Sequence, residues 1–150
     1  MESRVSGCRA ARLGSYNEPM DPHAVERVAR RHGIALLVRF GSTATGRTHA
    51  RSDCDLGVLL DRAPETFAAH AELIGDLQGL VQGREVDVTV INHADPLLLR
   101  QVVEGGQLVF GSPRRFAELR ILAFKRYQDH RRYFAMEREY VERKVVGVEP

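Results

Sequence analysis

At 150 residues, the chain fits one domain and is too short for an enzyme with separate substrate and cofactor lobes. Hydrophobic residues at 43% and charged residues at 28% are near globular averages, which excludes wholesale disorder. The net charge of +2 hides a partition: nine basic against four acidic residues in 1–52, three against ten in 53–112, and ten against six in 113–150.

Residues 1–19 are rich in Gly, Ser and Arg and lack periodicity. They read as a flexible tail, and Met20 is as sensible a start as Met1. Asp21-Pro22 is a cap followed by a first-turn proline, which opens a helix to about Arg31, stopped by Gly33. Ile34–Phe40 is apolar except for Arg39 and reads as a buried strand. Gly41-Ser42 ends it, a short turn or helix runs through Gly46, and Thr48–Ser52 is loop. Asp53–Leu60 is a second strand. Pro64 opens a helix to about Val81, with Phe67, Ala71, Ile74 and Leu77 at helical spacing. Glu85–Ile91 alternates as a third strand. Asp95-Pro96 starts another helix, which Gly105-Gly106 ends, and Gln107–Phe110 is a short edge strand. From Pro113 to about Val145 the pattern is helical. That length, roughly 50 Å, exceeds the width of a small domain, so this helix must kink, split or project.

The element order is that of an α/β (α+β) sandwich, with helices on a small mixed sheet. The units are the tail 1–19, a domain over 20–112, and a C-terminal helical extension over 113–150, packed on the same domain or on a partner. No apolar run reaches the ~18–20 residues of a membrane span. Arg4, Arg9 and Arg12 near the start flank no apolar stretch, so neither a membrane segment nor a signal peptide is expected. Cys8 and Cys54 form no disulfide framework, and a reducing cytoplasm is the default location.

The chemistry concentrates on the two central strands. Successive strand side chains point to opposite faces, so Cys54, Leu56, Val58 and Leu60 share the core face. Asp53 and Asp55 share the other. In the third strand Val86, Val88 and Val90 face the core and Asp87 faces away. If the two strands are neighbours, at ~4.8 Å, three carboxylates converge on one exposed patch. Like charges so placed repel, and divalent cations relieve them best. Gly41-Ser42, at the mouth of a turn, lets backbone amides and a hydroxyl grip phosphate oxygens. The acidic centre between basic flanks fits a cation site facing a phosphate or an acidic partner.

The string Gly41-Ser42, ten residues, Asp53-Cys54-Asp55 resembles the GS-x10-DxD motif of the DNA-polymerase-β-like nucleotidyltransferase superfamily. Within it the chain looks most like the minimal nucleotidyltransferases (MNT), particularly the antitoxins paired with HEPN toxins. Phe40, Gly46, Ser52, Leu56, Val86-Asp87-Val88 and the Gly106–Phe110 tail also match. One departure is Thr45, where the pattern has Arg or Lys; Arg47 follows as a substitute.

The resemblance implies a polymerase-β-like fold and adenylyl transfer from ATP with two Mg²⁺ ions. It places Asp53, Asp55 and Asp87 on the metals, and Gly41, Ser42, Arg47 and Ser52 on the nucleotide, with Arg51 as a further candidate. It also implies a protein acceptor, a tyrosine hydroxyl of a HEPN-type ribonuclease toxin, and hence an antitoxin. Two alternatives stay open: a degenerate fold that neutralises its partner by binding, and transfer to a small-molecule hydroxyl.

Other residues read as structural. The six histidines, His23, His32, His49, His70, His93 and His130, have no zinc spacing. His49 is the one in the active-site loop. The Arg27/His32 spacing seen in HEPN ribonucleases lies on the wrong fold. Arg114, Arg115, Arg120, Arg126, Arg131 and Arg132 alternate with Glu118, Asp129, Glu137 and Glu139. That is the pattern of a solvated helix face, so direct nucleic-acid binding is not expected.

Overall fold

The computed structural model describes residues 20–41 and 53–146. The elements are α1 (Pro22–His32), β1 (Ile34–Phe40), β2 (Cys54–Leu60), α2 (Phe67–Gln78), β3 (Val86–Val90), α3 (Pro96–Glu104), β4 (Gln107–Gly111) and α4 (Pro113–Val146). The tail, with Cys8, lies outside the described residues, as do residues 42–52.

Local chemistry sets the helix ends. The Asp21 carboxylate accepts from the His23 amide, and Gly33 closes α1 in the left-handed region. Asp95 accepts from the Leu97 and Leu98 amides at the start of α3. The second helix departs from expectation. It starts at Phe67, not Pro64, because the Thr66 hydroxyl accepts from the Ala69 amide and caps it. It ends at Gln78, short of Val81. Its inward residues are Leu73 and Leu77, whereas Phe67 is 88% exposed and Ala71 is also exposed. The helix is therefore phased by an i, i+4 leucine pair that the broader apolar pattern obscured.

The four strands form one mixed sheet in the order β3-β2-β1-β4. β1 is antiparallel to both β2 and β4, and β2 is parallel to β3. Two apolar clusters cover its two faces. Val25 and Ala29 of α1 and Leu73 and Leu77 of α2 pack on Cys54, Leu56, Val58 and Leu60. On the reverse, Leu99, Val102 and Val103 of α3 and Phe116, Leu119 and Ala123 of α4 pack on Leu36 and Val38. The sheet is thus the middle of three layers, and β1, buried on both faces over Ile34–Val38, is apolar there for that reason. A register shift between Ile34 and Leu36 puts Ile34 and Leu37 in the same cluster.

The face of β2 that carries Asp55 is open at its start only. Farther along, α3 closes on it: a Cβ on Gly57 would lie 2.8 Å from Val102 Cγ1. Glycine at 57 lets the helix seat there.

α4 is one helix of 34 residues. Its first turns are built into the domain core through Phe116, Leu119 and Ala123. Tyr127 follows, under the Arg100 guanidinium at 4.0 Å and stacked on Phe134. Beyond that the helix projects, with Met136, Tyr140, Val141 and Val145 all more than half exposed.

Candidate active site

Strand pairing brings the predicted carboxylates together. Asp55 is the second residue of β2. It stands opposite Phe40 of β1 on one side and opposite Asp87 of β3 on the other. The alternation that buries Cys54 and Leu56 turns Asp55 to the other face. Asp53, just before β2, and Asp87 are both exposed, and Asp55 is half-buried.

Gly41 completes the arrangement from the β1 side. It follows β1 with φ +70°, and a Cβ there would stand 2.2 Å from Asp55 Oδ2 and 3.1 Å from Cγ. A side chain at 41 would therefore occupy the space that the carboxylate fills. Glycine is required twice, for the left-handed turn and for the close approach.

The electrostatics follow from this crowding. Partial burial of Asp55, then the charges of Asp87 and Asp53, push its carboxyl above the usual carboxylate range. The register of the strand pair sets Asp55 and Asp87 opposite one another.

Beside them is a cleft of about 320 Å³ lined by Asp53, Gln78, Glu85, Val86 and Asp87. Gln78 and Glu85 escaped sequence reasoning. In the sequence Gln78 reads as an interior residue of an unremarkable helix, and its approach to β3 depends on how α2 packs. Cys54 is a buried thiol, outside any disulfide, inside the apolar cluster, consistent with a packing role. His32 is also structural: its Nε2 lies 2.7 Å from Asp76 Oδ2, tying α1 to α2.

Ser42, Thr45, Arg47, His49, Arg51 and Ser52 lie outside the described residues. Among the described residues, no three carboxylate, imidazole or thiol groups form a ready single-ion site. The donor set is nevertheless all hard oxygen, with Asp55 and Asp87 on adjacent strands and raised mutual repulsion. Such a set fits magnesium, which is bound through one or two carboxylates plus phosphate oxygens and water rather than by a closed protein cage.

A family model described as polymerase beta, nucleotidyltransferase, matches residues 24–115. The chain belongs to the polymerase-beta nucleotidyltransferase family. That match covers every strand and the three carboxylates, and the four-stranded mixed sheet is the fold that the motif implied. A curated relative, the protein adenylyltransferase MntA of Aphanizomenon flos-aquae, is 27% identical over 89 residues. The match spans 53% of this chain and 59% of that relative's length.

Solved structures share the fold over most of the chain. One chain from a crystal structure of a toxin–antitoxin with AMP-PNP superposes with a TM-score of 0.66 at 23% identity, covering 85% of this chain and 99% of that one. Another, from tri-AMPylated Shewanella oneidensis HEPN toxin in complex with MNT antitoxin, gives 0.60 at 21% identity, covering 83% and 95%. At these identities the likeness establishes the fold. Among the described residues no helix is long and apolar enough to cross a membrane.

Proposed function

We propose that the chain is a magnesium-dependent adenylyltransferase that moves AMP from ATP to a hydroxyl of a HEPN-type toxin, and so acts as an antitoxin. The observation that carries the reading is the pairing of Asp55 with Asp87 beside a side-chain-free Gly41. Repulsion built into the fold at that place marks a site made for a cation. The named function of the curated relative supports AMP as the group transferred. The complexes that share the fold support a toxin as acceptor.

In this reading Asp53, Asp55 and Asp87 hold magnesium, which supplies charge neutralisation and a more acidic acceptor hydroxyl. Gly41 and Ser42 receive the β- and γ-phosphates, because a glycine turn exposes amides without a side chain in the way. Arg47 offsets charge on the departing pyrophosphate, and Ser52 contacts the nucleotide. The acceptor hydroxyl attacks the α-phosphorus in line, and pyrophosphate leaves. Asp87 lies on an edge strand and is exposed, so the acceptor approaches from that side. A tyrosine is the expected acceptor residue, and the cytoplasm the expected location.

The test is label transfer. The chain is incubated with α-labelled ATP, Mg²⁺ and a HEPN-type toxin encoded beside it, as wild type and as Asp53→Asn and Asp87→Asn. Label on the toxin, lost in both variants, is the expected result. Neutralisation of the toxin without label, or equal neutralisation by the variants, would replace catalysis with masking.

A further inference from the structure

Among the described residues β3 is an edge strand, paired only with β2. Its register decides whether Asp87 faces Asp55, since a slip of one residue turns every side chain to the opposite face. A parallel pair also has no tight turn to fix that register.

Gln78 meets this need. Its Nε2 donates to the Arg84 carbonyl at 2.7 Å, and its Oε1 accepts from the Val86 amide at 2.9 Å. One carboxamide thus reads an acceptor and a donor two residues apart, on the segment that leads into Asp87. Between them, the Glu85 carbonyl accepts from the Cys54 amide at 2.8 Å, on the β2 side. Gln78 itself is fixed by Leu77, its neighbour, which is fully buried. At the far end of the same strand pair, Asn92 bonds both the amide and the carbonyl of Leu60, at 3.0 and 2.7 Å.

We infer that Gln78 is a positioning residue: by clamping the 84–86 segment it holds Asp87 in register with Asp55. The inference rests on the adenylyltransferase reading above. It adds a residue outside the motif that acts through backbone, not through the reacting atoms.

The test compares Gln78→Met, which keeps bulk and removes both bonds, with Asn92→Leu, which breaks the bonds at the opposite end. Binding of Mn²⁺ alone is followed by its electron paramagnetic resonance signal, with thermal melts as a check on folding. The Gln78 variant is expected to bind Mn²⁺ about tenfold more weakly, as supporting shells of metal sites typically show, with the Asn92 variant near the parent. In the transfer assay kcat falls and KM for ATP stays. Unchanged Mn²⁺ binding in Gln78→Met, or equal losses in both variants, overturns the inference. Should Gln78→Met fail to fold, Gln78→Ala, which removes the same two bonds and adds no charge to the cleft, takes its place with the same expected and overturning results.

If the parent chain binds no Mn²⁺ and transfers no AMP, the functional reading fails. Amide exchange then decides the positioning role alone. Exchange at Cys54 must accelerate more in Gln78→Met than in Asn92→Leu, and the reverse order overturns the inference.

Discussion

Asp55 carries the tension of the site. Its carboxyl is held above the usual range by burial and by two neighbouring carboxylates. A raised value in the folded state means that folding favours the protonated form. The stabilising contribution is present below the ordinary carboxylate value and is lost as pH rises through the raised one. At neutral pH, without metal, Asp55 therefore opposes folding. Asp55→Asn should melt above the parent at pH 7 without metal, with the gap closing as pH falls, and should lose label transfer. Thermal melts across pH check the sign, and a variant that melts lower at pH 7 contradicts it. Gly41→Ala should go the other way. The φ of +70° costs an L-residue about 1–2 kcal/mol, and the added methyl meets Asp55. Denaturant titration should show a loss of at least that size, together with weaker Mn²⁺ binding.

Between elements, the bonds that matter join side chains to distant backbone or to other helices. His32 and Asp76 link α1 to α2, with Arg31 adding a second contact to Asp76 at 3.1 Å. The His32 hydrogen bond, then the Arg31 charge, hold the Asp76 carboxyl below its usual range. Stability from this group is present above the ordinary carboxylate value and is lost as pH falls through the lowered one. Asp76→Asn should lower the melting temperature by a few degrees at pH 7 and by less at pH 3.

The strands were legible, β1 as an apolar run, β3 from alternation, and the start of β2 from the acidic and apolar turns of Asp53, Cys54, Asp55 and Leu56. The DxD pair and Asp87 were legible as a set because their neighbours are so clearly inward. What alternation does not encode is adjacency. That β3 lies beside β2, parallel and with Asp87 opposite Asp55, depends on a crossover through α2. The Thr66 cap was hidden by a proline two residues earlier, and the Gln78 clamp by the absence of any local pattern in a side chain that bonds backbone across a turn.

Over the whole molecule, the described chain divides by packing rather than by length. Every described element up to the first turns of α4 contributes side chains to one of the two apolar clusters on the sheet. Tyr127 adds a contact to Arg100 of α3, and it stacks along the helix on Phe134. A chain ending after Ala135 should keep its cooperative transition within a few degrees of the full chain, since it removes no residue of either cluster. A collapse of that transition would show that the projecting turns stabilise the domain.

If the Asp55–Asp87 pair is a nucleotidyl-transfer centre, the toxin carries its product. Mass spectrometry of the HEPN-type toxin, co-expressed with the parent chain or with Asp87→Asn, tests it most directly. AMP adducts on a toxin tyrosine are expected with the parent and none with the variant. An unmodified toxin that is nonetheless neutralised by the parent would contradict it.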